Sequence, residues 1–177
     1  MNESAKEDGV NHLDARRQAV FYVGLSQRLL PVLEQSENYG YAVRAINLCW
    51  QWIERRSVAG QVLFYLYHDE EDHGVEPAMY AEYSRDTVMW NVWGCVSLAL
   101  IYTAFCAYES EGGPLPETLE LADSDTTSKA FVEYLRGAHQ DSRVLNLFSD
   151  YLGKFPDDHL KESIIASKLD RLFSDEA

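Results

Sequence analysis

A chain of 177 residues with 46% hydrophobic and 25% charged residues has an ordinary globular composition and fits a single domain. The net charge of -14 argues against nucleic-acid binding, which needs basic surface, and against attraction to anionic membranes. The polar opening, MNESAKEDGVNH, has no apolar run like that of a signal peptide, so a cytoplasmic location is expected. We divide the chain into a polar N-terminal tail over 1–12 and one all-α domain over 13–177.

Two amphipathic helices are predicted in the first third of the chain. The first begins near Asp14 and ends or kinks at Pro31, because proline interrupts the helical hydrogen-bond ladder. Apolar residues recur every three or four positions over 42–53, the period of a helix with one buried face. Trp50 lies on that apolar stripe, whereas Trp52 lies off it and is expected to be either packed against another helix or partly exposed.

A short third helix is predicted over 58–67, ahead of a strongly acidic loop. The loop covers 68–78 and reads HDEEDHGVEPA, in which Gly74 and Pro77 are expected to break the helix. Residues 79–83 are predicted to add one more helical turn before the next long element.

The stretch from Val88 to Tyr108 contains twenty-one residues without a formal charge and predicts the middle of a helix near 86–109. Such a helix is about 36 Å long at a rise of about 1.5 Å per residue. Apolar residues surround its whole circumference, so either neighbouring helices bury it or it crosses a membrane. Polar residues inside the run, such as Asn91 and Ser97, and the lack of flanking basic residues favour burial in a helical bundle.

Three further helices are predicted after the breaker EGGPLPE at 111–117. They cover about 126–137, 141–153 and 157–173, and Asp157 is placed to cap the last one. No segment shows a convincing run of the period-two alternation of a strand. The sequence therefore predicts an all-α, single-domain bundle of about six to seven helices around the central buried helix.

The sequence offers no strong pattern for catalysis or metal binding. Cys49, Cys95 and Cys106 lack CxxC or zinc-type spacing and are expected to be buried free thiols. Glu70 and His73 form one Glu-x-x-His pair, but di-iron bundles need two such pairs and two further glutamates. We predict no catalytic residue, no metal ligand and no cofactor, and a helical metal-dependent enzyme stays open as an alternative.

The negative charge is concentrated in the two connections that flank the central helix. Residues 68–86 hold seven acids against Arg85 alone, and residues 109–125 hold six acids and no base. Together they account for -12 of the net charge of -14. Because Glu109 and Glu111 lie at the negative end of the helix, they should cost stability, which favours a role in binding a cationic partner. The alternative is a solvated acidic surface that keeps the protein in solution.

Tyrosines border the first acidic connection. Tyr65 and Tyr67 precede the loop 68–78, and Tyr80 and Tyr83 follow it. Binding hot spots favour aromatic residues, while charges at the rim set association rate and specificity. We therefore predict a recognition patch with 69–76 as its principal contact and 109–125 as a secondary one. Its candidate residues are Asp69, Glu70, Glu71, Asp72, Glu76, Tyr80, Tyr83, Glu109, Glu111 and Glu117.

Several motifs follow one another along the chain. They are LCWQWIE at 48–54, LYHDEEDHGVEPA at 66–78, the spacing of Trp90 and Gly94, AFCAYE at 104–109 and LPE at 115–117. In this order the chain resembles, over about residues 20–125, the all-α immunity proteins of bacterial polymorphic toxin systems, the family numbered six. The Trp-x-Trp and Gly-x-x-Pro-Ala patterns are also similar to a related all-α bacterial family of unknown function.

The resemblance implies a small cytoplasmic protein that binds the C-terminal domain of a cognate toxin and blocks it. Toxins paired with such proteins are commonly nucleases, which are basic because they hold phosphates, and the acidic connections suit that partner. The resemblance assigns no individual carboxylate, since immunity proteins vary most where they touch their toxins. An acidic decoy of the DNA-mimic type, which would inhibit several basic proteins, is the alternative.

Overall fold

The computed structural model describes residues 10–69, 71, 73–82, 87–140 and 142–174. Within these residues the chain forms eight α-helices and no strand, which confirms the predicted all-α bundle with more helices than expected. The helices are α1 (Ala15–Leu29), α2 (Tyr39–Arg55), α3 (Gly60–Tyr67), α4 (Val75–Glu82), α5 (Thr87–Glu111), α6 (Ser124–Gly137), α7 (Ser142–Gly153) and α8 (Glu162–Ser174). Short 3-10 turns cover Leu30–Leu33, Glu117–Leu119 and Asp157–His159.

Helix α5 forms the core of the bundle, as its uncharged sequence predicts. Most residues from Val92 to Ala107 are buried, and α1, α2, α3, α4 and α6 all pack against the helix. Among the described helices, α5 is long and apolar enough to cross a membrane, but 61% of its apolar window is buried inside the protein. That burial is typical of a core helix and indicates no membrane span.

The ends of α1 and α2 follow local rules. Asp14 caps α1, because its side chain accepts a hydrogen bond from the backbone N–H of Arg17 at 2.9 Å. The helix then ends at the 3-10 turn that contains Pro31, as predicted. Arg56 closes α2 in the left-handed conformation, with its guanidinium 3.7 Å from the centroid of the Trp52 ring. Trp52 is 2% exposed, so it is a packed residue of the core.

Most of the predicted N-terminal tail, residues 1–9, lies outside the described residues. Val10 and Leu13 are buried, and the backbone N–H of Leu13 donates to the carbonyl of Val10 at 3.0 Å. This turn leads directly into α1.

Helix α3 runs antiparallel to the second half of α5. At the start of α3, Gly60 lies so close to Tyr108 that a Cβ atom on Gly60 would be 2.6 Å from the tyrosine ring. At the end of α3, the hydroxyl of Tyr67 lies near the side chain of Ser97, close to the middle of α5. The acidic connection that follows α3 therefore lies beside the middle of the central helix.

The acidic loop is shorter than predicted. Helix α4 already begins at Val75, so Glu76 and Pro77 belong to its first turn. Proline is accommodated there because the first backbone N–H groups of a helix have no helical acceptor. Gly74 precedes the helix with a φ of 124°, a conformation that residues with a side chain rarely adopt. The prediction of a continuous loop to residue 78 is therefore wrong.

The C-terminal helices α7 and α8 pack against α1. The prediction that Asp157 caps the last helix is wrong, because α8 begins at Glu162. The side chain of Glu54 accepts a hydrogen bond from the backbone N–H of Glu162 at 2.9 Å and supplies the cap. Asp157 instead starts a 3-10 turn and pairs with Arg17 at 2.5 Å.

The three cysteines are free and buried, as predicted. Burial raises the pKa of Cys49 and of Cys106 to about 12 in each case. These thiols therefore stay protonated and pack as small apolar side chains.

Candidate functional site

Asp69 organises the connection between α3 and α4. Its Oδ1 atom accepts hydrogen bonds from the backbone N–H groups of Glu71 at 2.9 Å and His73 at 2.8 Å. The backbone N–H of Asp69 donates to the carbonyl of His73 at 3.1 Å. The hydrogen bond from the N–H of His73 is the main cause that holds the pKa of Asp69 below its ordinary value of 3.8. Asp69 is therefore an anion whose position is set by the loop backbone.

Glu76, in the first turn of α4, is a second fixed carboxylate. Its Oε1 atom accepts a hydrogen bond from the hydroxyl of Tyr67 at 3.0 Å, and its Oε2 atom lies 2.6 Å from Nδ1 of His68. Burial and then the charge of Glu76 raise the pKa of Tyr67, so the phenol remains a donor. The positive end of α4 also favours a negative charge at this position. Two side chains from the end of α3 thus hold Glu76 in place.

A surface groove, which we call the Glu76 groove, lies between the end of α3 and the start of α4. It has a volume of about 480 Å³. Tyr65, which is 50% exposed, forms its outer wall. The lining residues are Phe64, Tyr65, Tyr67, His68, Asp69, Glu76 and Thr118.

A second groove, which we call the Arg44 groove, lies on the other side of Tyr65 and has a volume of about 450 Å³. Arg44 from α2, Val62 from α3 and His73 contribute to its lining. Nδ1 of His73 lies 3.6 Å from Oδ2 of Asp69. Charges of both signs line the Arg44 groove. By contrast, the described residues that line the Glu76 groove include two carboxylates and neither lysine nor arginine.

The second acidic connection has a partly structural role. The side chain of Glu111 accepts a hydrogen bond from the backbone N–H of Gly60, the first residue of α3, at 2.8 Å. The positive end of α3 therefore offsets the cost expected for Glu111 at the negative end of α5. Asp123 similarly caps α6, since its side chain accepts from the backbone N–H of Thr126 at 2.9 Å.

The chain after α5 folds back toward α3. Thr118, in the 3-10 turn Glu117–Leu119, lines the Glu76 groove together with residues from α3 and α4. Glu117 beside it is exposed. The structure thus brings the second acidic connection to the first, although the two flank opposite ends of α5 in sequence. Glu109 is exposed as well, but it is not among the described residues that line either groove.

The remaining candidate residues lie elsewhere or outside the described part. Tyr80 is 63% exposed and its ring centroid lies 5.8 Å from that of Trp90, outside the described lining of both grooves. Glu82, an acid of the first connection that was not a candidate, is only 4% exposed and accepts a hydrogen bond from the hydroxyl of Ser36 at 2.9 Å, so it does not contribute to the surface. Outside the described residues lie Glu70, Asp72 and Tyr83.

The sequence analysis missed the contributions of Phe64 and Thr118 to the Glu76 groove. It also missed the contribution of Arg44 to the Arg44 groove. The helical period places residue 64 beside residue 67 on α3, so a groove wall formed by Phe64 could have been inferred. The position of Thr118 depends on how the chain returns after α5, for which the sequence carries no local signal.

Chemically, this arrangement is suited to binding a cation. Asp69 and Glu76 supply charge, and the exposed ring of Tyr65 supplies a surface that cations and apolar groups both favour. Among the described residues, no group of three or more His, Cys, Asp or Glu side chains is arranged to hold a metal ion.

Fold and surface together define an acidic, all-α protein with two fixed carboxylates beside the exposed ring of Tyr65. The family model Immunity protein Imm6 matches residues 17–138, from the first turn of α1 to the end of α6. The chain belongs to this family of immunity proteins, which act by neutralising a toxin. The resemblance inferred from the motifs is thereby confirmed, and α7 and α8 lie beyond the matched residues. The chain matches no curated protein and no solved structure.

Proposed function

We propose that the protein acts in the cytoplasm as a non-catalytic inhibitor that binds the C-terminal domain of its cognate toxin. The principal contact is the acidic surface between α3 and α4, and the segment 109–125 contributes a secondary contact. The observation that carries the proposal is the pair of carboxylates, Asp69 and Glu76, fixed beside the exposed ring of Tyr65. Membership in an immunity family supplies the toxin as the partner.

The proposed toxin is a basic nuclease. Nucleases hold phosphates with lysine and arginine, so their binding surfaces complement the net charge of -14. Opposite charges on the two partners increase the rate of encounter. Carboxylates already held in place by Tyr67 and backbone N–H groups lose little conformational freedom on binding, which leaves more of the interaction energy as affinity.

A growth test combined with co-purification examines this proposal. The C-terminal domain encoded by the neighbouring upstream gene is expressed alone and then together with this protein. We expect the domain to stop growth and this protein to restore it. We also expect the complex to survive purification in about 1 M salt, although exposed charges separated by more than about 3 Å are screened there. Toxicity without rescue and without binding would contradict the proposal. Assay of the purified domain on DNA and RNA then tests whether it is a nuclease.

A general acidic decoy is the second candidate, and the concentration of charge in two connections favours it. A decoy of the DNA-mimic type would bind several unrelated basic proteins and lose them steeply as salt rises. Binding to unrelated basic nucleases as tight as binding to the cognate domain, measured at about 0.15 M salt, would favour the decoy. A preference for the cognate domain of at least about 1,000-fold would favour the immunity function.

A further inference from the structure

We infer that the Glu76 groove is a receptor for an arginine side chain presented by the toxin domain, an inference that rests on the proposed function. The groove combines the rings of Phe64, Tyr65 and Tyr67 with the carboxylates of Asp69 and Glu76. No lysine or arginine is among the described residues that line it. Its volume of about 480 Å³ accommodates one long side chain together with part of its backbone.

The carboxylates are prepared to receive a cation. A carboxylate can accept about four hydrogen bonds, and the contacts with Tyr67 and His68 engage one position on each oxygen of Glu76. Oδ1 of Asp69 is occupied by two backbone N–H groups, which fixes the direction of the whole carboxylate. Both charges are therefore in place before a partner arrives, and each retains acceptor positions for it.

The aromatic walls favour arginine over lysine. A guanidinium group is planar, stacks on aromatic rings and binds a carboxylate through two parallel hydrogen bonds. A lysine ammonium is more strongly hydrated and lacks that planar face. Tyr65, half exposed at the mouth of the groove, presents a ring on which a guanidinium can stack while it reaches toward Glu76.

The Arg44 groove is a poor receptor for the same group, although it is nearly as large. Arg44 itself lines that groove and would repel an incoming cation. Val62, 46% exposed, adds apolar surface on the same side. Tyr65 and Asp69 line both grooves, so the difference in charge comes from Glu76 in one and Arg44 in the other. Charge complementarity therefore assigns the basic side chain to the Glu76 groove.

Substitution of Thr118 tests whether the Glu76 groove receives an arginine side chain of the toxin domain. Thr118 is exposed at the edge of the groove, so a longer side chain there disturbs no buried packing. In the Thr118→Arg variant the new guanidinium is expected to occupy the groove and to weaken binding of the toxin domain about 100-fold by titration calorimetry. The matched variant Thr118→Ala should bind within about threefold of the unsubstituted protein. A second variant, Tyr65→Ala, should weaken binding about 10-fold or more, in the range of an interface hot spot.

The outcomes separate this inference from the function on which it rests. If the unsubstituted protein binds the domain and Thr118→Arg and Tyr65→Ala bind equally well, the arginine receptor is overturned and the proposed function stands. If the unsubstituted protein does not bind the domain, both are overturned. Circular dichroism of each variant identifies any loss of fold. If Thr118→Arg is unfolded, the affinity of Tyr65→Ala decides the test.

Small probes test the guanidinium itself. The full-length protein is titrated by NMR with N-acetyl-arginine methylamide, with the uncharged citrulline analogue and with the lysine analogue. We expect saturable shifts at the amides of Tyr65, Asp69 and Thr118 with the arginine probe, at least about threefold weaker binding of the lysine probe, and no saturation with citrulline. Equal binding of the lysine and arginine probes, or shifts confined to other parts of the protein, would overturn the assignment to arginine.

Discussion

The two acidic connections around α5 differ in what holds their charges. In the first, Asp69 and Glu76 are fixed by backbone N–H groups, a tyrosine and a histidine, and they face a groove at the surface. In the second, Glu111 caps α3 and Asp123 caps α6, while Glu109 and other acids are exposed. The two connections therefore carry equal net charge in different structural settings. We propose that Asp69 and Glu76, which line a groove, serve recognition, whereas Glu111 and Asp123, which accept hydrogen bonds from the first turns of α3 and α6, contribute to stability.

The largest expected effect follows from charge reversal in the first connection. Glu76→Lys should weaken binding of the toxin domain about 100-fold, because it places a cation where we propose that an arginine binds. The matched reversal in the second connection, Glu120→Lys, should change affinity by less than about threefold. Titration calorimetry measures both affinities at about 0.15 M salt. Equal losses for the two variants would remove the distinction between the connections.

The next effect concerns stability. Glu111→Ala removes the side chain that accepts the hydrogen bond from Gly60, and we expect a loss of about 1 kcal/mol in the free energy of unfolding. For a chain of 177 residues this corresponds to a decrease of about 2–4 °C in Tm. Thermal melting followed by circular dichroism provides the measurement, with Glu109→Ala as the control. A variant with unchanged Tm and reduced toxin affinity would show that Glu111 serves recognition instead.

A smaller effect is expected for the exposed acids of the second connection. Glu109→Gln and Glu117→Gln should each lower the association rate about two- to threefold and leave the dissociation rate unchanged, since rim charges act mainly on encounter. Surface plasmon resonance at several salt concentrations separates the two rates. A selective increase in the dissociation rate for Glu117→Gln would place Glu117 inside the contact with the toxin, next to Thr118.

The smallest effect is local and depends on pH. The pKa of Asp69 is lowered by the backbone N–H of His73, so the loop gains order from the ionised carboxylate. This contribution is complete above the ordinary pKa of 3.8 and is lost as the pH falls through the lower pKa of the folded protein. The amide NMR signals of Glu71 and His73 should therefore titrate with a midpoint below 3.8, and Asp69→Asn should abolish that titration. A midpoint above 3.8 would contradict the fixed geometry.

The fold could be predicted where the signal is local. The absence of charge over 88–108 indicated a buried central helix, and Asp14 and Pro31 marked the ends of α1. The start of α4 was misjudged. Proline breaks a helix in its interior but is tolerated in the first turn, where Pro77 lies. The cap on α8 was misassigned to Asp157, since the true cap comes from Glu54 on a distant helix.

The candidate site was predicted in its chemistry but not in its shape. The recognition patch of acids and tyrosines stays a prediction: Asp69 and Glu76 line one groove together with Tyr65, whereas the candidate Tyr80 is not among the described residues that line it. The return of Thr118 to that groove depends on tertiary packing after α5 and has no local sequence pattern. The capping role of Glu111 was also hidden, because its partner Gly60 is 51 positions away in sequence.

Hydrogen–deuterium exchange of the complex tests most directly the claim that the first connection binds the toxin. The protein is compared alone and with an excess of the toxin domain, and amide protection is mapped along the chain by mass spectrometry. We predict that the strongest new protection falls on peptides covering 60–82, with weaker protection over 112–120. Protection confined to α7 and α8, with 60–82 unchanged, would contradict the account.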